Sequence, residues 1–187
     1  MATTATITEE ASAADVKWPN VPACHGWLSL DRRGNWRLKG EVVRHAGLAA
    51  FINCNYRADD NGNWVFHNGP QKVYVALDYT PLVLRLAADG ALTTHTGAEA
   101  GAPSAAFLDD EGNAVFHVAA GIGLLDDRDL PAFLAVCRDA SGCVASESAL
   151  LDTMHGGSGL YWRDLPLQSI RRAELPHRFN FRPDPAP

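Results

Sequence analysis

The chain has 187 residues, with 16 Lys+Arg against 22 Asp+Glu, a formal net charge of -6, and 47% hydrophobic residues. That balance excludes a collagen-like, wholly disordered or strongly cationic protein, and the length suffices to bury roughly 70% of the surface the unfolded chain exposes. Acidic excess argues against sequence-independent nucleic-acid binding, which depends on neutralising phosphates, and no run reaches the ~18 apolar residues that cross a bilayer.

Residues 1–17 are small, polar and acidic, without the basic start and apolar stretch of a signal peptide. They read as a disordered leader on a cytoplasmic protein. Lysine occurs only at positions 17, 39 and 72, all other cations being arginine, a bias that with the many alanines suits a GC-rich bacterial coding sequence. Cys24, Cys54, Cys137 and Cys143 are too few for a disulfide scaffold and read as reduced thiols.

A turn-and-strand phrase recurs as Asp31–Trp36, Asp59–Trp64 and Asp109–Ala114, each with Gly-Asn at its centre, and Asp89-Gly90 echoes it. Such pairs supply the positive φ of tight hairpin turns. The second and third copies agree further, Gly62–His67 against Gly112–His117, and their spacing of 50 residues suggests two related halves; convergence of hairpin sequences explains the match equally well.

In chain order, His25–Leu30 and Trp36–Leu38 read as a strand pair around the Gly34 turn. Val42, Val43, Ala46, Leu48, Ala49, Phe51 and Ile52 recur at three- and four-residue spacings, so Glu41–Ile52 is an expected amphipathic helix. Strands follow near 63–67, 72–77, 82–87 and 91–96, and Gly97–Ala105 reads as a linker. Beyond it come a hairpin at 106–108 and 113–118, a helix over Asp126–Cys137 with Pro131 in its first turn, and an extended stretch Cys143–Leu151. The Gly-rich loop His155–Gly159 precedes a tail with five arginines between Arg163 and Arg182, interleaved with Leu, Ile and Phe.

The expected architecture is α+β: two small modules, each a curved antiparallel sheet or meander with one packed helix. The divisions are a leader (1–17), an N-terminal module (18–96), a linker (97–105), a second module (106–159) and a C-terminal arm (160–187).

Gly34, Trp36, Gly40, Arg44, Asp60, Gly62, Trp64, Gly69, Val73, Val75, Asp78 and Pro81 form a pattern. Over Trp27 to Arg85 it resembles bacterial proteins classified only as domains of unknown function. Asn35 departs from it, standing between Gly34 and Trp36. The resemblance implies two α+β modules with repeated motifs, a signalling or ligand-sensing role, and no established catalysis.

Among chemical candidates, Arg44 beside His45 reads either as an ion pair to Asp31 or Asp78 or as an anion-binding arginine at a cleft between modules. Trp27, with Trp36 and Trp64, offers a stacking platform, although large aromatics beside hairpin turns more often fill a core. The ligand-binding set is therefore Arg44, Asp78 and Trp27, for a small anionic ligand. His67, His95 and His117 are the alternative, a metal site if their strands converge, though no HxH, HxxxH or HExxH spacing occurs.

The loop at His155–Gly159 lacks a P-loop's Lys and is too tight for a Gly-x-Ser-x-Gly elbow. No catalytic residue and no cofactor is implied, nor a nucleic-acid or membrane partner. The expected function is non-enzymatic ligand sensing or protein interaction, in a homodimer formed through a sheet edge or the C-terminal arm. A small hydrolase or metal-dependent enzyme using His67, His117 or the His155–Gly159 loop is the alternative.

Overall fold

A computed structural model describes residues 18–186. The expected leader, 1–17, lies outside the described residues. The first half contains β1 (Ala23–Leu30), β2 (Trp36–Leu38), β3 (Glu41–Val42), α1 (Ala46–Cys54), β4 (Tyr56–Ala58), β5 (Trp64–Asn68) and β6 (Gln71–Leu77). Then come β7 (Leu82–Leu86), β8 (Leu92–Thr94), β9 (Ala105–Asp109), β10 (Ala114–Val118), β11 (Gly121–Leu125), α2 (Leu130–Ala135), β12 (Cys137–Asp139) and α3 (Glu147–Met154). β13 (Leu160–Trp162), β14 (Leu165–Ile170) and the single turn α4 (Leu175–Arg178) complete the chain.

The strands form a six-stranded sheet, β3-β2-β1-β6-β5-β4, and an eight-stranded sheet, β12-β13-β14-β9-β10-β11-β7-β8. The fold is α+β, as expected. Within the larger sheet the run β11-β10-β9-β14-β13-β12 repeats the order of the smaller one, including its single parallel pair: β1 with β6, β9 with β14. Asp31 and Asp109 therefore hold equivalent places, 78 residues apart. The equivalent of Asp59 is Asp139, and the 50-residue spacing between Asp59 and Asp109 joins positions that are not equivalent.

Four turns share one geometry. In each, the Asp Oδ1 accepts backbone N–H groups two and four residues on, at 2.7–3.0 Å, and a glycine three residues on takes positive φ (Gly34 78°, Gly62 79°, Gly112 83°, Gly142 83°). This is a three-residue hairpin connection closed by a left-handed residue. The fourth, Asp139–Cys143, has Cys in place of Asn and so escapes a search for Gly-Asn.

The structure corrects several expected boundaries. Glu41–Ile52 is not one helix: Lys39 and Gly40 both take positive φ (50° and 87°), turning the chain so that β3 pairs with β2. α1 starts only at Ala46, where His45 Nδ1 accepts the Leu48 N–H at 3.0 Å as an N-cap. Asp126–Cys137 divides into a 3-10 turn, α2 and β12. Cys143–Leu151, expected extended, holds the N-cap Ser146 and the start of α3. β7 and β8 belong to the eight-stranded sheet because β7 pairs in parallel with β11, and residues 97–104 connect β8 to β9 within that sheet. Residues 160–170 form β13 and β14, leaving only the segment after Ile170 as an arm.

Alternation along the strands gives the larger sheet two buried faces. Phe107, Val115, Ile122 and Leu124 join Phe66, Val73, Val75 and α1's Leu48 and Ile52 in one core. Ala106, Leu108 and Phe116 look the other way, into a second core with Phe133 of α2 and Met154 of α3. The arm crosses back to the first half: Phe181 and Leu175 are buried in the first core, and the Pro183 carbonyl accepts the Leu77 N–H at 2.7 Å. Fully burying each such apolar side chain contributes about 1.5–3 kcal/mol.

Candidate functional site at the junction of the two sheets

The segment Asp78–Pro81 carries the chain from β6 to β7, from one sheet to the other. Its Tyr79 is buried, and its hydroxyl donates to Asp109 Oδ2 at the first turn of the second half. Asp109 is itself fully buried and also accepts the N–H groups of Glu111 (2.9 Å) and Asn113 (2.7 Å) and the Asn113 side-chain amide (2.8 Å). Burial pushes its carboxyl above the ordinary range, although these hydrogen bonds pull it down.

Two guanidiniums lie over the Tyr79 ring, Arg32 from the equivalent turn of the first half at 4.8 Å and Arg172 from the start of the arm at 4.9 Å. Both pair with the exposed Glu111, at 3.4 and 2.9 Å, and Arg172 chiefly holds that carboxyl below its usual range through its hydrogen bond. Arg32 Nη2 also donates to Asn113 Oδ1 at 2.7 Å, joining the two equivalent turns side chain to side chain. Arg172 also donates to the Asp78 carbonyl at 3.1 Å and, through its backbone N–H, to Asp110 Oδ1 at 2.7 Å. Two clefts of about 410 and 400 Å³ open here, and Asp78 borders both.

Of the expected ligand-binding residues, only Asp78 is at this junction. Arg44 is exposed, precedes α1 rather than lying on it, and has no ion pair among the described residues; Asp31 pairs instead with Arg37 at 3.2 Å. Trp27 lies under the Lys39 ammonium, 3.6 Å from the ring, and forms no platform with Trp36 and Trp64. Trp36 is buried, its indole N–H donating to Asn53 Oδ1 at 2.7 Å, and Trp64 packs against both cores. Arg32, Arg172 and Tyr79 carry no sequence pattern of their own; the Asp31/Asp109 equivalence is the available signal, and the spacing of 50 between Asp59 and Asp109 conceals it.

The three histidines are not brought together. His67 is on β5 of the smaller sheet opposite Lys72, its ring held below the ordinary value by burial and then by the charges of Arg57 and Lys72. His117 is on β10 of the larger sheet, hydrogen-bonded to Ser104 Oγ at 3.0 Å and lying against Phe179. His95 follows β8, its ring edge-on to Trp36 and Tyr56, and burial drives it down to about 4. Among the described residues no group of three or more His, Cys, Asp or Glu is placed to hold a metal. The His155–Gly159 loop is the C-terminal cap of α3: the His155 and Gly157 N–H groups return to the Asp152 carbonyl at 3.0 and 2.8 Å.

Fold and site together define a two-sheet α+β protein with a duplicated strand order and an arginine-lined seam. Residues 8–186 match the family described as "Protein of unknown function (DUF2946)", and the chain belongs to that family. Among solved structures it is similar to a DUF1285 family protein from Silicibacter pomeroyi DSS-3, with 18% identity, 71% of this chain and 80% of that chain covered, and a TM-score of 0.49. It is also similar to a DUF1285 family protein from Shewanella baltica OS155, with 15% identity, coverage of 58% and 90%, and a TM-score of 0.41. No curated protein matches. No helix among the described residues is long and apolar enough to cross a membrane.

Proposed function

We propose that the chain is a non-enzymatic ligand-sensing module whose site is the seam around Tyr79, and that its ligand is a small anion. The observation that carries this is the placing of Arg32 and Arg172, one from each half, over one tyrosine ring and on one exposed carboxylate. Both arginine side chains are nearly half exposed, at 42% and 44%, so an incoming anion can reach them. Glu111 is their resident anion. A phosphate or carboxylate ligand competes with it, and planar guanidinium groups suit such bidentate partners. Because the two cations come from different halves, a ligand that bridges them favours whichever arrangement of the seam brings them together, and a population shift follows from that differential affinity. A cytoplasmic setting and self-association through the open β4 edge complete the proposal.

Isothermal titration with inorganic phosphate, pyrophosphate, succinate and citrate tests it. Saturable binding of at least one anion is expected, weakened about tenfold or more in Arg32→Ala and Arg172→Ala and unchanged in Arg44→Ala. Binding that ignores both substitutions, or no binding by any anion of the panel, overturns it.

A further inference from the structure

A second cleft lies away from the Tyr79 seam, between the β7–β8 turn, the loop that follows β8 and the β13–β14 turn. Its volume of about 570 Å³ is that of a small-molecule site. Its floor is apolar: Leu92 and Trp162 are buried beneath it, with Pro103 and Leu165 beside them. Its rim is acidic. Asp89, Glu99 and Asp164 are exposed around it, and none has an ion-pair partner among the described residues.

The one cation in the lining, Arg163, is already committed. Its Nη2 donates to the Asp89 carbonyl at 3.2 Å, and its guanidinium lies 4.8 Å from the centre of the Trp162 ring. Arg163 adopts a φ of 56°, and Gly90 leaves it room: a Cβ there would fall 1.2 Å from Nη2. The protein thus places its own guanidinium on the floor's indole, and three carboxylates against this one cation still leave the lining net negative. One Asp89 oxygen is used by the Ala91 N–H at 2.9 Å, and the other is open.

We propose that this cleft binds a small organic cation, a protonated amine or amidinium carried on an apolar body. The apolar part covers Leu92, Pro103 and Leu165 and gains from desolvation, while the charge sits among Asp89, Glu99 and Asp164. An anion meets net negative potential here, and a neutral molecule leaves the carboxylates unanswered. The edge of β8 is already occupied by the returning chain, Thr93 bridging to Glu99, so an added peptide strand has no ladder to join. This site is independent of the anion proposed at Tyr79 and shares no residue with it.

The test is amide chemical-shift mapping of the 15N-labelled full chain with phenethylamine and benzamidine, against phenethyl alcohol and phenylacetate. Saturable shifts are expected at residues 89–93, 99–102 and 162–165 with at least one cation, and binding about tenfold or more weaker with the alcohol and with phenylacetate. In the combined variant Asp89→Asn, Glu99→Gln, Asp164→Asn, the cation should weaken about tenfold while the alcohol is unchanged. All three carboxylates are exposed, so the variant is expected to fold, and its amide spectrum shows whether it does. The proposal is overturned if the alcohol or phenylacetate binds as well as the cations, if neutralising the rim leaves cation affinity unchanged, or if none of these residues shifts at about 10 mM cation.

Discussion

Tyr79 donates its phenolic hydrogen to Asp109, and this single bond joins the segment between the sheets to the first turn of the second half. Asp109 is buried with four donors around its two oxygens, so its turn is locked from both sides. Tyr79→Phe removes one donor and leaves the carboxylate otherwise in place. It should lower stability by about 1–3 kcal/mol, the range for a bond to a charged buried partner. In a cycle of Tyr79→Phe, Asp109→Asn and the double variant, a coupling of about 1 kcal/mol or more is expected from urea midpoints. Additive effects would show that the two side chains act separately.

His95 should make the fold sensitive to mild acid. Its ring is buried, Nδ1 faces the Val83 N–H at 3.3 Å, and Nε2 has no partner among the described residues. Burial lowers its value from 6.5 to about 4, so the folded state resists taking up the proton that the unfolded chain accepts. The sign follows: stability is full above the unfolded value and is lost as pH falls from about 6.5 toward 4, by about 3 kcal/mol at the lower end. Urea titrations at pH 7, 6, 5 and 4 should show this slope in the native protein. His95→Asn keeps an acceptor for Val83 and should flatten it; an unchanged slope would assign the titration elsewhere.

Gly34 and Gly142 occupy the same place in two of the four turns, with φ of 78° and 83°, but differ in surroundings. A Cβ on Gly34 would lie 2.6 Å from His95 Cβ, whereas one on Gly142 meets nothing within 4 Å. Gly142→Ala should therefore cost only the left-handed backbone conformation, about 1 kcal/mol. Gly34→Ala adds a clash between two backbone-anchored atoms and should cost about 2–3 kcal/mol. Thermal melts of the two variants decide it, equal losses meaning that the Gly34 contact relaxes freely.

The same glycines show what the sequence made legible. Turn chemistry is local, so Asp-x-x-Gly-Asn located three of the four hairpins, and period-two apolar runs located most strands. Sheet order is not local. Nothing in Leu82–Leu86 distinguishes pairing with β6, its chain neighbour, from the parallel pairing with β11 that occurs. Helix α1 starts later than the apolar spacing predicts, because Val42 and Val43 continue that spacing while the Lys39-Gly40 turn carries them back along β2. Among site residues, Asp78 was readable beside its turn, but Arg32 and Arg172 are 140 residues apart and meet only because β14 pairs in parallel with β9 and delivers the arm to the seam.

Asp126 provides a second, more acidic transition. Its carboxylate is buried, caps the 3-10 turn through the Arg128 N–H at 3.0 Å, and receives the Arg128 guanidinium at 2.5–2.8 Å. The Arg128 hydrogen bond chiefly holds it down to about 2, against the opposing effect of burial. A depressed carboxyl favours folding above its unfolded value and loses that contribution as pH falls through the folded one, here from about 4 to 2. Arg128 is 55% exposed, so screening reduces the contribution to about 1–2 kcal/mol. Asp126→Asn retains an oxygen for the cap and removes the charge. At pH 6 it should be less stable than the native protein by that amount, and the difference should shrink toward zero at pH 2. In the His95→Asn background only the depressed carboxyls, Asp126 with Asp31, Asp59, Glu111, Asp129 and Asp139, contribute below pH 4, and Asp126→Asn should shrink that step by this amount; a step of unchanged size would assign it to the other carboxylates.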